Sequence, residues 1–133
     1  MRDQLFLLGR ILFSSVFLRF GVLHLTHTEA SSQYAAFKKV PSARNLVLLT
    51  GGAQLVGGVA IILGIWMDLA ALGLAIFTLV AALVMHRFWE ETDPQTAQSE
   101  MAQFWKNISV VGGALVLAAI SKQVPYTLTD GVF

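Results

Sequence analysis

The forty residues 46–85, LVLLTGGAQLVGGVAIILGIWMDLAALGLAIFTLVAALVM, hold one acidic side chain, Asp68, and no basic one. A helix rises 1.5 Å per residue, so a hydrocarbon core about 30 Å thick is crossed by about 20 mostly apolar residues. This stretch therefore reads as two consecutive spans, 46–66 and 69–85. Working outward, 5–25 and 104–120 have the same character. The expectation is an all-α, antiparallel bundle of four transmembrane helices in one integral membrane domain, 1–133.

Composition points the same way: 56% of residues are hydrophobic, 13% are charged, and mean hydropathy is +0.68. In hydrocarbon every backbone polar group must be paired internally, and runs rich in Leu, Ala and Gly do this as helices. The alternating ten-residue pattern of a membrane barrel is absent. A net charge of +1 gives no reason to expect nucleic acid as a partner. Without cysteine the chain has no disulfide, thiolate nucleophile or cysteine-ligated cluster, so redox chemistry would need a centre held elsewhere. The first apolar run lacks the short core and small-residue cleavage site of a signal peptide and is expected to stay as a helix.

Spans two and three are joined through Met67 and Asp68 alone, which predicts a tight helical hairpin. The other two links are long and fall on one membrane side. In the first, Ser31–Lys39 reads as an interfacial turn of helix carrying Tyr34 and Phe37; Pro41 ends it and Ser42 is placed to cap span two. In the second, Thr92, Asp93, Pro94 and Gln95 read as a helix start, with Thr92 as cap, and span four extends this helix from Pro94 to Ile120. Trp66, Trp89 and Trp105 fall at span ends as interfacial anchors. Lys38, Lys39, Arg44, Arg87 and Lys106 lie on the long-link side against Arg2 and Lys122 with the termini, so the positive-inside rule places the long links in the cytoplasm and both termini outside.

Within span one, Arg10, Ser14, Phe17, Gly21 and His24 recur at four- and three-residue steps and share one face. A polar stripe in lipid should face protein. Gln54, on a face with Gly51 and Gly58, is the expected partner of Arg10. The set Arg10, Ser14, His24 and Gln54 reads either as a polar pocket for a quinone headgroup or small polar ligand, or as interhelical packing. Arg19 is nine residues from Arg10, about 180° around the helix, and should meet a partner protein or an acidic lipid. His27, Glu29, His86, Arg87, Glu90 and Glu91, with Lys106 and Asn107, form an interfacial polar set. Its histidines lack the one-turn spacing of a strong metal motif, so no metal is expected. The glycine pairs at 51–52, 57–58 and 112–113 follow no strand and read as packing notches.

The stretch His86, Arg87, Phe88, Trp89, then Asp93, Pro94, Gln98, Glu100, Met101, Phe104, Lys106, Asn107, Gly112 and Gly113 resembles the second-half pattern of bacterial DoxX-family membrane proteins. The Arg10 region, Pro41, Gly51, Gly52, Gly57 and Gly58 occupy the places of similar features, so the likeness runs from Leu5 to Ile120. Gln54 stands where that family often has an acidic residue. The resemblance implies a four-helix protein of the bacterial inner membrane. Members include a subunit of a thiosulfate:quinone oxidoreductase and partners in membrane complexes for oxidative stress and thiol handling. It thus implies a subunit of a larger redox or quinone-linked membrane complex that supplies scaffold, holds no cofactor alone, and contacts lipid, other subunits and a quinone. Two rivals stand beside it: a purely structural or assembly subunit of a respiratory or photosynthetic complex, and a small transporter, which lacks the broken helix expected of one.

Overall fold

The computed structural model describes residues 1–133 and is built of helices without strands, closed by a non-helical segment from Val124 onward. Five helices follow in order: α1 (Arg2–Thr26), α2 (Thr28–Phe37), α3 (Ala43–Leu63), α4 (Met67–Met85) and α5 (Pro94–Ala119), with 3-10 turns at Phe88–Glu90 and Ser121–Gln123. Three of them, α1, α3 and α4, are long and apolar enough to cross a membrane. α5 has the length, but its first third is polar.

Helix α1 packs chiefly on α3 and α4 on α5, while α3 and α4 share a smaller contact that joins the two pairs. Glycines set the first pairing. A Cβ on Gly21 would come within 2.9 Å of the Gly51 carbonyl oxygen and 2.8 Å of Leu55, and one on Gly58 within 3.0 Å of Leu18. Missing side chains thus let the backbones approach, as expected of packing notches. Only one member of some pairs acts this way, because the other lies about 100° around the helix: Gly52 and Gly112 face open space. Between the pairs sits an apolar core that includes Phe17, Ile61, Met67, Leu74 and Ala118.

Several local expectations change. α3 stops at Leu63, before Trp66, because Gly64 takes a left-handed φ of 66° and Ile65 N–H returns to the Ala60 carbonyl. The hairpin link is therefore Gly64–Trp66, and Met67 and Asp68 already belong to the first turn of α4. The interfacial helix runs over Thr28–Phe37. It closes when Lys39, at φ 65°, sends Val40 N–H back to the Ala35 carbonyl, and this turn directs Lys38 inward. Ser42 precedes α3 but its side chain caps nothing, since its own backbone is left-handed at φ 47°. Asp93, not Thr92, caps α5, accepting from Thr96 N–H at 2.8 Å with Pro94 in the first turn. The single long helix after it, Pro94–Ala119, is as expected.

Candidate functional site

Polar side chains gather in three places. At the long-link end, Lys38 at the close of α2, His86 after α4 and Glu100 on α5 meet in a mostly buried group. Lys38 Nζ donates to Glu100 Oε1 at 2.9 Å and to Glu91 Oε1 at 3.3 Å. His86 Nδ1 lies 2.7 Å from the other Glu100 oxygen. Arg87 donates to the Lys38 carbonyl at 3.2 Å and pairs with Glu90 at 3.4 Å. Lys38 Nζ also stands 5.9 Å from the centre of the Tyr34 ring.

Charge compensation rather than burial decides protonation here. Burial alone would raise the Glu100 carboxyl, but hydrogen bonds from Lys38 and His86 hold it below the usual range. Burial would likewise depress Lys38, and its bonds to Glu100 and Glu91 raise it instead. The Tyr34 hydroxyl is pushed up by burial and by the charge of Glu100. With a proton on Nδ1, His86 donates to Glu100, the arrangement by which a carboxylate orients an imidazole.

A second group lies between α1 and α3, where His24 Nδ1 is 3.3 Å from Gln54 Nε2 and 3.4 Å from Thr50 Oγ1. Gln54 thus meets His24 and not Arg10. The register explains this: Gly21 lies against Gly51 and Ser14 near Gly58, which puts Arg10 about eight residues, or roughly 12 Å, from the level of Gln54. Arg10 instead donates through Nη2 to the Tyr126 carbonyl at 2.9 Å, at the opposite end of the bundle. There the segment after α5 crosses the hairpin. Leu128 N–H bonds to the Leu63 and Gly64 carbonyls, Trp66 N–H to Thr129 Oγ1, and Phe133 N–H to the fully buried Asp68 carboxylate at 2.9 Å.

The stripe read from α1 is the buried one: Arg10, Ser14, Phe17 and Gly21, with His24 half-buried. Arg19 is exposed on the other side and makes no hydrogen bond or ion pair. Of the interfacial set, His86, Arg87, Glu90 and Glu91 come together. His27 and Glu29 stay exposed and bond locally to Thr26 and Gln33. Lys106 bonds to Gln103 on its own helix, and half-buried Asn107 joins no pair. The sequence reading passed over the roles of Lys38, Glu100, Asp68 and Tyr126. The available signals were a lone acid inside a hairpin of apolar helices and a Glu nearly two turns inside an amphipathic start.

Against this geometry, the family model described as DoxX matches residues 5–87, more than half of the chain. The chain belongs to the DoxX family. The match spans α1 to the end of α4 and includes His86 and Arg87, while Glu100 lies beyond it. The chain is also 27% identical over 117 residues to the inner membrane protein YphA of Escherichia coli K12, covering 88% of this chain and 83% of that one. No solved structure matches it. This DoxX protein is a multi-pass membrane protein, with its apolar helices in the lipid bilayer.

Proposed function

We propose that the chain is a four-span subunit of a larger bacterial inner-membrane complex, redox- or quinone-linked, in which it supplies scaffold rather than a redox centre. The observation that carries this reading is Arg19, a charge in the last third of an apolar helix, exposed and without an acceptor in its own chain. A guanidinium facing hydrocarbon is costly, and an acidic or carbonyl-rich surface on a neighbouring subunit would satisfy it through charge-assisted hydrogen bonds. The apolar part of α5 serves as the fourth span, and the lysine and arginine excess at the long links favours that end facing the cytoplasm. The inner-membrane assignment of the Escherichia coli relative supports the compartment, and the redox or quinone link rests on the resemblance to family members with such partners.

The test is purification in mild detergent. Arg19→Leu should insert and fold as the native chain does yet lose its associated proteins, and the native preparation should reduce or oxidise a quinone. Equal co-purification of variant and native chain would overturn a partner at this face. A purely structural subunit is favoured by one observation, the internal saturation of Glu100 by Lys38 and His86. On that reading the complex keeps its turnover when this chain is deleted.

A further inference from the structure

Arg10 is 1% exposed, yet only its Nη2 is bonded, to Tyr126 O. Its Nε and Nη1 meet no acceptor, nor does the hydroxyl of Ser14, fully buried one turn along the same face. None of the four ion pairs in the molecule includes Arg10. Asp68, the buried acid at this end, already accepts from Leu69 and Phe133 N–H groups. A buried cation without a counter-charge, beside a buried hydroxyl without a partner, is costly unless something else binds there.

We infer that Arg10 and Ser14 form a binding site for a carboxylate group, and that the Tyr126 carbonyl holds the guanidinium when no ligand is bound. Three features select this chemistry. One uncompensated positive charge matches one negative charge, which a neutral carbonyl does not supply. The Nη1–Nη2 edge of a guanidinium is a planar fork that fits both oxygens of a carboxylate, and Ser14 adds a third donor. Tyr126 sits at φ 57°, a left-handed conformation unfavourable for a residue with a side chain, and is 61% exposed. Rotating the Tyr126–Thr127 peptide about Tyr126 ψ and Thr127 φ turns the carbonyl outward and frees Nη2 beside the already free Nη1. The rest of the crossing segment stays pinned through Leu128, Thr129 and Phe133. The carboxylate comes either from an acyl chain in the bilayer or from a small acid in water.

This site is independent of the complex proposed above, so its test uses the full chain alone in lipid nanodiscs. Thermal unfolding is followed with decanoate, methyl decanoate and acetate. Decanoate should raise Tm saturably and methyl decanoate should not; an added response to acetate marks an aqueous source, and its lack a membrane source. Ser14→Ala, which keeps the Arg10–Tyr126 bond, should weaken decanoate about tenfold, and Arg10→Lys by about tenfold to a hundredfold. If Arg10→Lys fails to fold, Ser14→Ala alone decides. An equal shift from methyl decanoate, no saturable shift from decanoate, or an affinity unchanged by the substitutions would overturn the site.

Discussion

Lys38 and Glu100, 62 positions apart in sequence, stand 2.9 Å apart as a buried ion pair that ties the link after α2 to the first turns of α5. Two helices that share no hairpin are thereby fixed at one membrane end. Removing one partner of a buried pair typically costs about 3–5 kcal/mol, and less here because Lys38 keeps Glu91 and Glu100 keeps His86, whereas removing both costs less still. Glu100→Gln and Lys38→Met should each lower unfolding stability in detergent, and the double variant should recover part of the loss. Additive losses would show that the two charges do not support each other.

The same group sets a pH dependence. Glu100 has its folded pKa held below the unfolded one, so its contribution is present above the unfolded value and lost as pH falls through the folded value. Lys38 is raised, so its contribution is full below its unfolded value and lost as pH climbs through the folded one. Stability of the native chain should therefore fall at the acid end below the ordinary carboxylate range and again at strongly alkaline pH. Glu100→Gln should flatten the acid limb; an unchanged acid limb would assign it to other carboxylates.

Inside the bundle, Gln54 should couple to His24 and not to Arg10. Such polar contacts in membrane bundles average about 0.6 kcal/mol in double-mutant cycles. A cycle of His24→Ala with Gln54→Ala should show that coupling, and one of Arg10 with Gln54 should be additive. Coupling only in the second cycle would mean that α1 and α3 are in a different register.

Two glycine substitutions separate packing from propensity. A methyl at Gly21 meets the Gly51 carbonyl at 2.9 Å, backbone that cannot rotate away, so Gly21→Ala should destabilise by about 1–3 kcal/mol. Gly52→Ala meets nothing and should be neutral or slightly stabilising by its helix propensity. Equal tolerance at both positions would argue against the close crossing of α1 and α3.

Orientation is checked by cysteines introduced into a chain that has none. Gln33 and Thr96 are exposed at the long-link end, whereas Ser32 beside the first is buried. Gln33→Cys and Thr96→Cys should resist an impermeant thiol reagent added to intact cells and react once the cells are opened. Ready labelling from outside would reverse the topology.

Much of this fold is legible in the sequence because membrane helices obey local rules. The Arg10, Ser14, Phe17, Gly21 stripe is visible as a period, and period decides which face is buried. Asp93 and Pro94 announce the start of α5 even though the cap is one residue later than Thr92. The pairings are a different matter. Whether Arg10 reaches Gln54 or Tyr126 depends on the axial register of α1 against α3, which is set by glycine contacts that no one-dimensional pattern encodes. Lys38 looks like a solvated charge beside Lys39, and only the left-handed turn at Lys39 sends it inward to Glu100. The segment from Ser121 onward has no period at all, and its role follows from carbonyls and N–H groups that any sequence possesses.

The bond from Arg10 to Tyr126 spans 116 positions, so it joins α1 to a segment made only after all of α2 to α5. During synthesis α1 must enter the bilayer with its guanidinium unmet, and it stays so until the segment beyond α5 leaves the ribosome and settles across the hairpin. The nascent chain therefore passes through a long interval in which Arg10, like Arg19, has no acceptor in its own chain. In that interval the charge depends on water or on the headgroup region, and the arrival of the Tyr126 carbonyl ends that dependence.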